Sequence, residues 1–173
     1  MSSPSEILSW KPIDRIRRNH ALEHATLQIL SKSNPFARIA GYSDMNGFWL
    51  VGEVSTDGLA AAVEEAQTRL RAGEVGLAIH PNCGTNLVTT GFLAGIAAWL
   101  SMLGSGSSIR RKLDRLPLVM TVVTLMVFFS APLGPYLQAR VTTQPEIGNL
   151  QVTRIERSLR QNKMPIHRII TRG

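Results

Sequence analysis

Cysteine is almost absent from this 173-residue chain. Cys83 stands alone, which excludes an intramolecular disulfide and leaves no sign of an oxidising compartment. Aromatic residues make up 6% of the chain and do not alternate with basic ones, so a base-stacking groove is not indicated and nucleic acid is not an expected partner. Charge is scarce too, at 18% against 44% hydrophobic residues, and two stretches, 75–109 and 116–139, contain no Asp, Glu, Lys or Arg. Such runs exclude a plain soluble globule. The first 30 residues also lack the basic start and apolar core of a secretory signal, because Glu6, Lys11, Asp14, Arg15, Arg17, Arg18 and Glu23 occupy them. No cleavable targeting segment is expected.

The net charge of +7 is unevenly distributed. Residues 1–104 hold eight basic and nine acidic side chains, 105–115 hold four and one, and 140–173 hold seven and two. The excess therefore flanks the uncharged stretches, where Lys and Arg set topology or meet anionic lipid head groups. The partners this predicts are the bilayer, anionic head groups on the basic link and the C-terminal region, and a further membrane protein.

Ile13, Ile16, His20, His24 and Leu27 recur at helical spacing, predicting a helix over 12–31 that Asn34-Pro35 ends. A hairpin follows, with strands at 38–42 and 48–54 around a turn at 43–47 that contains Asn46-Gly47. Ser55 or Thr56 should cap a second helix whose Leu59, Val63, Ala66 and Leu70 share one stripe, closed by Gly73. Residues 75–79 read as a short buried strand. Leu87–Leu103 and Leu116–Leu137 read as two transmembrane helices joined by a polar link, with Gly91 and Gly95 suited to close backbone approach and Pro132 and Pro135 placed to kink the second. Two weak strands at 150–155 and 166–170 complete the pattern.

The predicted fold class is α+β. Residues 1–86 and 140–173 together form one domain, and 87–139 form a transmembrane helical hairpin inserted into it. The expected location is a membrane, crossed twice, with the soluble part on the cytoplasmic side. Arg110, Arg111, Lys112 and Arg115 in the link argue for the opposite orientation, but an 86-residue folded region without a signal is hard to export.

Two clusters carry the chemistry. In His20-Ala-Leu-Glu23-His24 the histidines are four apart, so a helix offers both imidazoles from adjacent turns to one metal ion, and Glu23 borders the pair as a candidate general base. This HxxEH string is similar to the inverted zinc-peptidase signature, which implies a further glutamate ligand; Glu64 and Glu65 are the available candidates. The second cluster, His80-Pro-Asn-Cys83-Gly-Thr-Asn86, sets His and Cys three apart on a Pro/Gly loop. Together His20, His24, His80 and Cys83 would make a tetrahedral site for zinc or a similar transition metal. Buried histidines satisfied by carbonyls, and a loop whose Asn82, Thr85 and Asn86 merely cap a helix, explain the same residues without a metal. A Cys83 thiolate with His80 as its base is a third explanation.

The strings RNHALEHATLQIL, GYSDMNGFWLVGEV and LAIHPNCGTNL, with the two apolar helices, resemble a family of small bacterial membrane proteins described only as a domain of unknown function. The resemblance implies membrane association and supplies no activity. Three readings stay open: a membrane protein with a metal site that is structural or, as a zinc-dependent hydrolase using HxxEH, catalytic; a non-catalytic accessory or assembly subunit of a membrane complex; and a thiol sensor through Cys83. Enzyme status is undecided at this level.

Overall fold

The computed structural model of the protein describes residues 4–159 and 165–173. Arg160 and Lys163, two of the basic residues counted in the C-terminal region, lie outside the described residues. The chain forms two compact units, one of residues 1–80 and 138–173, the other of residues 81–137.

The first unit is α+β. A short helix α1 (Pro4–Ser9) precedes α2 (Lys11–Ser33), which has Pro12 in its first turn, where the missing N–H costs nothing, and stops at Asn34 ahead of Pro35. Strands β1 (Ile39–Asp44) and β2 (Gly47–Gly52) pair antiparallel, with Asp44 opposite Gly47. The connection is thus the two residues Met45-Asn46, tighter than the five-residue turn expected. Asn46 N–H bonds the Asp44 carboxylate, and Gly47 takes φ 139°, where a Cβ would strike the Ile169 carbonyl. Helix α3 (Thr56–Arg71) is capped by the Ser55 hydroxyl, which accepts from Gly58 N–H, and its predicted stripe of Leu59, Val63, Ala66 and Leu70 is buried.

Two C-terminal strands, β3 (Gln151–Leu159) and β4 (Pro165–Arg172), complete an antiparallel sheet of order β1-β2-β4-β3. Pairing of Phe48 with Ile169 and Leu50 with His167 aligns the inward-facing positions of β2 and β4. Phe48, Leu50 and Ile169 then join Leu22, Ala25, Leu59, Val63 and Ala66 of the two helices in one core. Each fully buried Leu, Ile or Phe contributes about 1.5–3 kcal/mol. Asn19, also buried, ties α2 to both strand systems: its amide donates to the Asp44 carbonyl and its oxygen accepts from the Thr171 hydroxyl.

One predicted strand is not a strand. Residues Val75–Ala78 form a 3₁₀ turn, because side chains of α2 take the carbonyls that a sheet partner would need: Gln28 Nε2 donates to Leu77 and Ile79, and His24 bonds Ala78.

The second unit is helical, with α4 (Gly84–Met102), α5 (Ile109–Asp114), α6 (Leu116–Ser130) and α7 (Leu133–Leu137). Part of the expected polar link is α5. The kink expected at Pro132 and Pro135 within Leu116–Leu137 is there as a break: α6 ends at Ser130, and residues 133–142 continue at an angle of 46°, since neither proline can continue the hydrogen-bond ladder. By length and composition α4 is long and apolar enough to cross a membrane, and α6 with its continuation qualifies only as a bent pair. Gly91 and Gly95 do not mediate the contact between α4 and α6, as a Cβ at either would meet open space. The close approach is at Gly134, where a Cβ would overlap Asn86 of α4, and Ser130 adds a hydroxyl bond to Thr90. Leu87, Phe92 and Trp99 of α4 and Phe128 and Phe129 of α6 are exposed.

Candidate functional site

Helix α2 carries His20 and His24 one turn apart, and their rings meet edge-on with centroids 4.2 Å apart. His80, which follows the 3₁₀ turn, stacks obliquely on the other side of His24 at 5.6 Å. The rings of three of the four residues predicted as ligands therefore adjoin in the first unit, although His80 does not bring a ligating nitrogen within 4.8 Å of both of the others. His24 is buried and His20 and His80 are partly so.

The hydrogen bonds of the first two rings fix their chemistry. His20 Nδ1 lies 2.9 Å from the Thr142 carbonyl and His24 Nδ1 2.7 Å from the Ala78 carbonyl. A carbonyl oxygen can only accept, so each Nδ1 donates, and each neutral ring keeps its lone pair on Nε2. This is the arrangement in which a backbone carbonyl orients an imidazole for a metal and raises its basicity. One ligating nitrogen of His20 lies within 4.8 Å of one of His24.

The third histidine is held by its backbone. Gln138, fully buried, accepts from His80 N–H at 2.8 Å and donates to the His80 carbonyl at 3.1 Å. Gln138 opens a π-helical turn, Gln138–Thr142, whose last carbonyl is the one that receives the His20 bond. A single five-residue segment thus anchors His80 and orients His20. Sequence reasoning missed Gln138, Gln28 and Thr142. The visible signal was Gln138 itself, an amide at the end of a run otherwise almost free of polar side chains.

Cys83 is the N-cap of α4 in the second unit, buried, with its sulfur accepting from Thr85 N–H at 3.4 Å. Asn86 donates to the Pro81 carbonyl, which curls the loop. Glu23 is buried beneath the hairpin: the Ser43 hydroxyl donates to its carboxylate, and a Cβ at Gly41 would overlap that same carboxylate. Glycine at 41 is what admits it. Glu64 and Glu65 are exposed on α3, with Glu65 paired to Arg69, and neither joins the histidines. The fourth histidine, His167, is buried on β4 with Nε2 bonded to the Thr56 hydroxyl. Burial, and then the Arg157 charge, hold its imidazole below the ordinary histidine range.

Comparison with known proteins places this arrangement in a lineage. The family model described as "Domain of unknown function (DUF6391)" matches residues 15–155, which take in all three clustered histidines and Cys83. The chain belongs to that family. Within it, an uncharacterised protein of Picosynechococcus sp. is 35% identical over 165 residues, covering 88% of this chain and 77% of its own length. No solved structure matches. Membership of the DUF6391 family thus agrees with the family resemblance of the HALEHAT and HPNCGTN strings and brings no activity with it.

Proposed function

We propose that the protein is a membrane-attached DUF6391 member whose metal centre, built on His20, His24 and His80 with Cys83 as fourth ligand, is structural. The observation that carries this reading is the pair of Nδ1-to-carbonyl bonds on His20 and His24, which orient two imidazoles one helical turn apart in the way that carbonyls orient metal-ligating histidines. Cys83 follows His80 by three residues, about 10 Å of extended chain at most. Its thiolate with three imidazoles is a donor set suited to zinc. Glu23, engaged by Ser43 and packed on Gly41, supports a structural role over that of a base acting on bound water. Such a centre would tie α2 to the point where the chain leaves the first unit.

Chain continuity supports two membrane crossings over one. The chain leaves the first unit at His80 and returns at Gln138, and these two residues are hydrogen bonded to each other. An excursion that begins and ends at one place crosses a bilayer an even number of times. If α4 crosses, α6 with its bent continuation must return. The basic residues of the link and the C-terminal region then serve anionic head groups, with the first unit on the cytoplasmic side.

Elemental analysis of the purified full chain tests the metal. About one zinc or similar ion per chain is expected, lost in His24→Ala together with thermal stability, whereas Glu23→Gln keeps the metal and lowers stability only. Absence of metal from protein purified without chelators would overturn the centre, and abolition of a hydrolytic turnover by Glu23→Gln at full metal content would make it catalytic.

A further inference from the structure

One side of α2 is a row of side chains that bond the backbones of other segments. Arg17, His20, His24 and Gln28 recur at helical spacing. Arg17 Nε donates to the Val141 carbonyl at 2.7 Å and Nη2 to that of Thr143 at 3.1 Å, and His20 donates to that of Thr142. His24 and Gln28 take the carbonyls of Leu77, Ala78 and Ile79. These are among the last residues before the chain leaves the first unit after His80 and the first after it returns at Gln138. Both ends of the excursion are thus fastened along one side of α2.

Arg17 reaches a third segment as well. Its Nη1 donates to the Leu8 carbonyl at 3.3 Å, so a single guanidinium bridges α1 to the returning chain. A helix of six residues is marginal in water by its own hydrogen bonds, and this contact holds it beside Val141. Trp10 N–H bonds the Ile7 carbonyl at 3.2 Å, which extends the turn, and Trp10 is the N-cap of α2. Ile7 and Trp10, three apart, therefore share one side, at 51% and 64% exposure, and Val141 is 39% exposed. Lys11 next to Trp10 and Arg140 next to Val141 are exposed too, and they outweigh Glu6, the one carboxylate of α1.

We infer that α1 is an interfacial anchor, with Ile7, Trp10 and Val141 seated at the boundary between lipid head groups and acyl chains and Lys11 and Arg140 among the head groups. An indole suits that depth because its ring leaves water while its N–H keeps a polar partner. Continuity argues for the bilayer as the occupant: α1 is bonded to the segment through which the chain comes back from α6 and α7. The inference rests on the membrane crossings proposed above and uses none of the metal ligands.

The three tryptophans, Trp10, Trp49 and Trp99, make fluorescence the test. The full chain, reconstituted in vesicles of phosphatidylcholine with phosphatidylglycerol, is compared with Trp10→Phe, so that the difference reports Trp10 alone. Lipid brominated near the head-group end of its acyl chains should quench that difference about twofold or more, and lipid brominated near the tail less, because an interfacial residue lies about 5–10 Å deep. Aqueous iodide should quench it little. Trp99→Phe reports α4 in the same way. If Trp10→Phe fails to fold, the converse chain with Trp49→Phe and Trp99→Phe reads Trp10 directly. Trp99 quenched by brominated lipid, with Trp10 untouched by lipid and open to iodide, would overturn the anchor and leave the crossings standing. Quenching of Trp10 without Trp99 would keep the anchor and overturn the crossings, and quenching of neither would overturn both. Trp10 shielded from iodide yet untouched by brominated lipid would assign a protein cover, such as a second copy of the chain, and overturn the inference as well.

Discussion

His167 shows how much one buried side chain sets the behaviour of its surroundings. Its Nδ1 has no hydrogen-bond partner among the described residues, and Arg157 stands directly opposite it on β3. Desolvation, followed by the Arg157 charge, lowers its folded pKa below the ordinary value, so near pH 6 the unfolded chain binds more protons at this position than the folded one. Stability therefore rises with pH in that window. It is fully present above the unfolded value near 6.5 and falls as the pH drops through it, levelling only below the lower folded pKa. Urea midpoints measured from pH 5 to pH 7.5 should decline toward acid, and a His167→Gln variant should lose that part of the slope. An equal slope in the variant would assign the dependence to other groups. Nothing about this histidine was legible in the chain, where it sits in a short basic strand. The other three announced themselves by spacing, four apart on a helix or three from the lone cysteine.

At the scale of elements, local chemistry was read correctly where it is self-contained. Ser55 caps α3 because its hydroxyl reaches the N–H three residues on, a bond within one turn of chain. Ser55→Ala should cost about 1 kcal/mol, seen as a lower urea midpoint at unchanged m, since the residue is exposed and only the cap is lost. Elements failed where a distant partner decides. Val75–Ala78 has an apolar run fit for a strand, yet Gln28 and His24 occupy the carbonyls it would offer. The contact between α4 and the chain after α6 is a second such case, with Gly134 against Asn86 rather than the Gly91 and Gly95 pair, whereas the break between α6 and α7 falls where Pro132 and Pro135 already marked it.

For the whole molecule, membrane attachment is the property that the two uncharged stretches predict. Large apolar side chains are left exposed on α4 and α6, the kind of surface that membrane attachment would cover. Alkaline carbonate extraction of membranes should leave the full chain in the pellet. Its release into the supernatant would overturn both crossings and leave the His80 to Gln138 junction as the base of a soluble helical arm.

What the sequence alone determined is whatever depends on near neighbours or on composition: helix periods, caps, the hairpin, the α+β class, the apolar runs and the spacing of His20, His24 and His80. These follow from 3.6-residue and two-residue periods that any window of chain displays. Only the tertiary structure decided which carbonyls orient the imidazoles, that Gln138 clamps His80 across 58 residues, and that Glu23 turns under the hairpin to Ser43. Contacts of that kind join positions whose separation carries no periodicity. They form because burying the Phe48, Leu50 and Ile169 face against α2 and α3 leaves the polar groups at its margin one another as partners.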